Sequence, residues 1–337
     1  MRIKKRKRKP GATSVRRRKI SSVQKRDSGA ANSQGYDTGY QEALRLAEKA
    51  KIEGYDLGFN QGYDKGYNKG YDTGSHSGGD GIIDQHLPEY EILPEVSVEE
   101  VMSAGIAQLR SRILHLMTAA ELGERIITAL DTRTPLSVVR LGDGELLTMA
   151  QETVLSIAQV REEGKFLDYA GVQVPDLEAR DLLVKTVLGA DIVGIPKLRI
   201  RNYQPLAFAV FRAHGIDYRN LKLTDSLVNY YLYHGGYLPQ ILSGRKVLLI
   251  GNLAPALADR FRPHGIHIAG TVSPVQGIKD VPRVMGEVAG HDFDIALVSA
   301  GISAVVISRQ IASEMGKVAI DFGHLADSMV KGDAPFQ

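Results

Sequence analysis

Two acids one residue apart, Asp143 and Glu145, alternate with glycines in the run Arg140-Leu-Gly-Asp-Gly-Glu145. An Asp-x-Glu spacing lets two carboxylates reach one hard cation from the same side, so a divalent metal is the natural guest. Gly142 and Gly144 let the backbone turn sharply and come close to a ligand. Arg140 adds a fixed positive charge suited to a phosphate or to holding a carboxylate in place. The same run also spells an ordinary turn, in which Glu145 is the first-turn acid of a helix through Leu146, Leu147 and Met149.

Such residues need an element that delivers them to a crevice. The preceding Leu136-Ser-Val-Val is short, apolar and β-branched, which predicts a buried strand ending at the acids. The C-terminal half repeats the theme: near-continuous apolar strands at 246–251, 265–271, 294–299 and 317–321 alternate with helices at 254–261, 281–289 and 303–315. This alternation predicts a mainly parallel sheet with helices on both faces. Ligands of such sheets sit beyond the carboxyl ends of the strands. Those ends carry Gly251-Asn252, Ser273-Pro274, Ala300-Gly301 and Asp321-Phe322-Gly323-His324. A further strand at 191–195 is followed by Arg199 and Arg201, two guanidiniums that suit a diphosphate or simply lie on the surface. Two helices are expected between 96 and 130, one at 177–188, and one at 226–233 with Thr224-Asp225 as its cap.

Several chemistries are excluded. Gly251-Asn-Leu-Ala-Pro-Ala lacks the Gly-x-Gly-x-x-Gly spacing that sets a helix N-terminus against a pyrophosphate, and there is no Walker loop. Neither a His-x-x-x-His pair nor a serine elbow occurs. With no cysteine among 337 residues, disulfides, thiolate metal sites and a cysteine nucleophile are ruled out. No apolar run reaches the ~20 residues of a membrane span, and no apolar segment follows the basic N-terminus as in a secretory signal. The expected location is cytoplasmic, with a peripheral position at the membrane left open.

The net charge of +3 conceals an asymmetry. Residues 1–34 hold thirteen Lys or Arg against the single acid Asp27, a local +12 that leaves −9 on the rest. So charged and apolar-poor a stretch is expected to be a disordered arm, either a contact for polyanions or a solubilising tail. Over 35–74 a Gly-Tyr repeat follows, its later copies spaced by four. A step of four keeps the glycines on one slowly drifting stripe of a helix and the aromatics on the next, a groove beside a ridge. This pattern resembles, locally, the glycine-repeat helices of flagellar export ATPase regulators. It reads either as a surface for self-association or a partner protein, or as a low-complexity spacer. Residues 75–94, rich in Gly and Pro, read as a linker, and 95–337 as the folded body.

Arg140-Leu-Gly-Asp-Gly-Glu145 after a strand, Ala296 to Ala304 (Ala-Leu-Val-Ser-Ala-Gly-Ile-Ser-Ala) and the terminal Ile-Asp-Phe-Gly-His of Ile320 to His324 together resemble the GT-D-type glycosyltransferases. The resemblance covers roughly residues 125 to 330. Leu141 stands where that family has Phe, and Gly301-Ile302-Ser303 where it commonly has Gly-Pro-Thr. What it implies is a Rossmann-like, GT-D-like sheet and transfer of a sugar, glucose in the best-known members, from a UDP-sugar to a glycan or glycoprotein acceptor with Mn²⁺ or Mg²⁺. Asp143 and Glu145 would then hold the metal, and Asp321 and His324 would meet the diphosphate or the acceptor hydroxyl. Arg140, Gly142, Gly144, Arg199, Arg201, Asn252, Gly301 and Gly323 would line the nucleotide site. The rival reading is a non-catalytic nucleotide-sugar-binding or scaffold protein that works through its arm and repeat helix.

Overall fold

The structure, a computed structural model, describes residues 29–336, with side chains from residue 38 onward. Residues 1–28, most of the basic arm, lie outside the described residues. The chain forms two compact units, Met1–Arg112 and Ile113–Gln337.

In the first unit one helix runs from Gly29 to Ser75. Its start lies inside the stretch assigned to the arm. At Gly54, Gly58, Gly62, Gly66, Gly70 and Gly74 an added Cβ would meet nothing, so the glycine stripe is an open groove. Beside it Tyr55, Phe59, Tyr63, Tyr67 and Tyr71 form a ladder of near-parallel rings 6.0 to 6.3 Å apart, all exposed. The groove and ridge that the four-residue step predicts are both present. The stretch expected as a linker is partly helical, with a π-helical turn His76–Asp80 and a helix Gly81–His86. No proline interrupts it before Pro88, so the backbone donors continue to find helical partners. The helix Val98–Gln108 opens with a Ser97/Glu100 capping box and buries no residue.

The second unit is built on seven strands: β1 Leu136–Arg140, β2 Ile192–Ile195, β3 Leu223–Asp225, β4 Lys246–Gly251, β5 His267–Val272, β6 Ile295–Ser299 and β7 Val318–Asp321. They form one sheet in the order β3-β2-β1-β7-β6-β4-β5, and every pairing is parallel. Six of the strands were legible as apolar runs. The three-residue β3 was not, because Leu223-Thr-Asp reads as a cap; it is held by pairing with β2 and by Thr224 Oγ1 donating to Met117 O at 2.8 Å.

Period-two alternation sends neighbouring strand residues to opposite faces, and both faces are buried. Val139, Val193, Leu248, Ile250, Ala296, Val298 and Ala319 enter one core, with the helices Asp143–Ala150, Leu177–Gly189 and Ser303–Met315. Val138, Ile192, Val247, Leu249, Ile295, Leu297 and Ile320 enter the other, under the helices Ala119–Thr132, Ala254–Phe261 and Leu325–Lys331. The order of strands reverses between β1 and β7: the chain walks outward through β2 and β3, then returns by way of β6. That reversal point is where a doubly wound sheet opens its crevice. Among the described residues no helix is long and apolar enough to cross a membrane.

Candidate active site at the β1–β7 junction

The two motifs meet at this reversal point. β1 and β7 are direct neighbours, with Val138 opposite Ile320, so Arg140 and Asp321 leave the sheet side by side although 181 positions separate them. Arg140 is the hub. Its Nη2 donates to Asp321 Oδ1 and its Nε to Asp321 O, both at 2.9 Å. Nη1 donates to Ser226 O at 2.9 Å and to Asn229 Oδ1 at 3.3 Å. One guanidinium therefore ties the ends of β1, β7 and β3 together.

Two glycines make room for it. At Gly194 on β2 a Cβ would sit 3.2 Å from Arg140 Cγ, and at Gly323, with φ +53°, a Cβ would strike the guanidinium. Gly323, expected to line the nucleotide site, thus has a packing reason of its own. Asn229, which the sequence did not single out, is buried and donates from Nδ2 to Phe322 O at 2.8 Å, fixing the turn into Gly323-His324. Nothing in the local sequence marks it, since Asn inside Leu-Val-Asn-Tyr-Tyr is one more polar residue of a helix.

Asp321 is buried, and burial pushes its carboxyl up while the Arg140 guanidinium pulls it down. Its partner is Arg140 and not His324. His324 is exposed at the head of the helix Leu325–Lys331, and its charge is felt by Asp321.

The acids sit on the turn into the helix Asp143–Ala150. Asp143 is half-buried, and its Oδ1 accepts from Gly144 N at 3.0 Å. Glu145 Oε2 accepts from Gly142 N at 2.8 Å, so the first-turn acid role weighed from the sequence is real and coexists with any other. Gly144 lies against Ile302 and Phe166, where a Cβ would come within 3.3 Å and 3.5 Å. Desolvation, and then the nearby Asp321 charge, push the Glu145 carboxyl up to about 7. A carboxyl raised above its unfolded value binds a proton more tightly when folded. Its stability contribution is present below about pH 4.5 and lost as pH rises toward 7. In metal-free buffer Glu145→Gln, which keeps the oxygen that caps Gly142, is expected to raise the melting temperature at pH 8. That gain shrinks toward zero by pH 4.5, read by thermal melts across the range.

The remaining expected residues distribute differently. Asn252 Oδ1 accepts from Val275 N at 2.8 Å, which fastens the end of β4 to the connection beyond β5. Gly301, with φ +54°, lies beneath Ala170 O, where a Cβ would come to 3.2 Å. Arg199 is exposed, and Arg201 pairs with Glu163 at 3.0 Å; neither is bonded to the Arg140 cluster. Asp225 Oδ1 accepts from Leu227 N at 2.9 Å, closing a turn ahead of the helix Val228–His234; that helix has Leu227 at its N-cap and no side-chain cap, so the capping role expected of Thr224-Asp225 is not formed. At the end of β6 and in the first turn of the helix Ser303–Met315, Ser299 Oγ and Ser303 Oγ are buried without a hydrogen-bond partner.

The profile of a family described as a GT-D fold-like domain matches residues 117–329. The chain belongs to the GT-D-like family. The fold expected from the two motifs is thus the fold of this domain, and both motifs fall inside the matched segment. One similar solved structure is described as "The highly conserved domain of unknown function 1792 has a distinct glycosyltransferase fold". It is 15% identical, covers 69% of this chain and 87% of its own, and superposes with a TM-score of 0.42. A second, "Selenomethionine substituted structure of domain of unknown function 1792 (DUF1792)", is 16% identical, covers 66% and 83%, and has a TM-score of 0.40. No curated protein matches the chain.

Among the described residues no cluster of three or more His, Cys, Asp or Glu forms a ready metal cage. The donors present still fit a hard cation of a particular kind. Mg²⁺ keeps several waters and binds through one or two carboxylates plus substrate phosphates, and Asp143 and Glu145 are two such carboxylates on one turn.

Proposed function

We propose that this GT-D-like domain is a metal-dependent glycosyltransferase that moves a sugar, glucose first among the candidates, from a UDP-sugar to a glycan or glycoprotein acceptor. The observation that carries the proposal is the Arg140–Asp321 clamp. It sets the Asp143/Glu145 turn and the Gly323-His324 turn on adjacent strands at the point where the sheet opens.

The chemistry follows from that placement. Cleaving the bond between the anomeric carbon and the diphosphate oxygen builds negative charge on the leaving group, and preorganised donors at that position lower the barrier. Ser299, whose hydroxyl is buried without a partner at the end of β6, and the first turn of the helix Ser303–Met315 would supply donors there. Mn²⁺ or Mg²⁺ held by Asp143 and Glu145 would neutralise the same charge. His324, exposed in the turn after β7, would meet the diphosphate or accept the proton of the incoming hydroxyl.

Calorimetric titration of UDP tests this reading. Affinity is expected to rise when Mn²⁺ is added, and the rise to vanish in Asp143→Asn. UDP binding that is the same with and without metal, in both proteins, would remove the metal-bridged diphosphate and with it the proposal.

A further inference from the structure

The loops around this mouth are apolar where water would normally demand polar residues. Phe166 and Tyr169, on the connection after the helix Ile157–Glu163, are exposed, Tyr169 to 98%. Phe166 lies against Gly144 of the acidic turn, and Ala170 against Gly301, so this connection borders the site. Leu198 and Ile200, just past the end of β2, are 53% and 56% exposed. Leu227, next to the Ser226 carbonyl that Arg140 grips, is 50% exposed. Five large apolar side chains therefore ring the end of the sheet that carries the candidate site. A cluster of this kind marks a surface that meets something other than water.

The charges among them say what. Residues 196–204, Pro-Lys-Leu-Arg-Ile-Arg-Asn-Tyr-Gln, alternate apolar and basic side chains and contain no acid. Lys197 leans toward Asp225 at 4.0 Å and Arg201 toward Glu163, whereas Arg199 and Lys165 make no ion pair among the described residues. Apolar side chains interleaved with cations suit the interface of an anionic bilayer, where the first enter the headgroup boundary and the second meet lipid phosphates. Stable attachment takes two such signals. The thirteen Lys and Arg of residues 1–34 provide the second in the sequence.

We infer that the rim formed by Phe166, Tyr169, Leu198, Ile200 and Leu227 docks on an anionic lipid surface, so that the mouth of the site opens toward acceptors held at a membrane. The acceptor half of this inference rests on the glycosyl-transfer reading; the docking half does not. A binding experiment therefore separates the failure of one from the failure of the other.

The chain has no tryptophan, so a single introduced one is a clean local reporter. In full-length Leu198→Trp, vesicles of mixed phosphatidylglycerol and phosphatidylcholine are expected to shift the emission to shorter wavelength. In Leu188→Trp, exposed in the last turn of the helix Leu177–Gly189 that leads into the start of β2, they are expected to leave it unchanged. The double variant Leu198→Asp/Ile200→Asp is expected to bind these vesicles at least about tenfold more weakly, with its melting temperature unchanged because both residues are exposed. Two results would overturn the inference. In one, the Leu198→Trp protein pellets with vesicles while its indole emission stays fixed, which assigns binding to the basic arm alone. In the other, that indole responds to UDP-glucose and not to vesicles, which assigns the loop to the donor.

Discussion

Asp143→Ala is expected to lower turnover of a UDP-sugar by roughly 10²- to 10³-fold while leaving the fold intact. The size follows from the role proposed for this carboxylate. Charge arises on the diphosphate only as the glycosidic bond breaks, so a group that stabilises it acts on the transition state more than on the bound donor. The cost to stability is small by comparison. Asp143 is half-buried, makes one hydrogen bond to its neighbour's N–H, and otherwise contributes a favourable charge at a helix N-terminus. That charge is worth about 0.3–1 kcal/mol. For a unit of this size the melting temperature then falls by a few degrees, about 2–4 °C per kcal/mol. Steady-state kinetics beside a thermal melt check both halves. A variant that melts far lower yet turns over normally would assign Asp143 to the architecture of the turn.

The contrast between what the sequence revealed and what it hid has a physical pattern. Strands β4, β6 and β7 are near-continuous apolar runs because a doubly covered parallel sheet buries both faces, and their ends could be placed to within a residue. Their spatial order could not. Whether β7 lies beside β1 or at an edge leaves no trace in local composition, yet that adjacency alone turns two distant motifs into one site. Asn229 was hidden for the same reason, because its partners are a guanidinium 89 positions away and a carbonyl 93 positions away. Arg199 and Arg201 suited either a diphosphate or simply the surface; Arg201 pairs with Glu163, and Leu198 and Ile200 beside them are exposed. A pair of basic residues after a strand specifies a charge and not its target.

The largest stability effect is expected at Arg140, and it separates holding the site together from reacting in it. In Arg140→Met the chain length is nearly kept, but Asp321 loses its partner while remaining buried. Removing one member of a buried pair costs about 3–5 kcal/mol, because the other charge is left uncompensated. At about 2–4 °C per kcal/mol the melting temperature should fall by roughly 6–20 °C. The sign of the pH dependence identifies the cause. Burial already pushes the Asp321 carboxyl up, and without Arg140 it rises further, so the folded state holds this proton more tightly than the unfolded one. The loss is therefore greatest at alkaline pH and shrinks as the solution is acidified and Asp321 becomes neutral. Adding Asp321→Asn to Arg140→Met removes the stranded charge and should recover much of the stability at pH 8, yet little of the activity, because Asp143 and His324 would no longer be drawn to one crevice. Thermal melts at pH 5 and pH 8 for the two single variants and the double variant decide it. A penalty independent of pH, with no recovery in the double variant, would show that Arg140 stabilises the fold through its carbonyl contacts to Ser226 and Asp321 and not through the charge it neutralises.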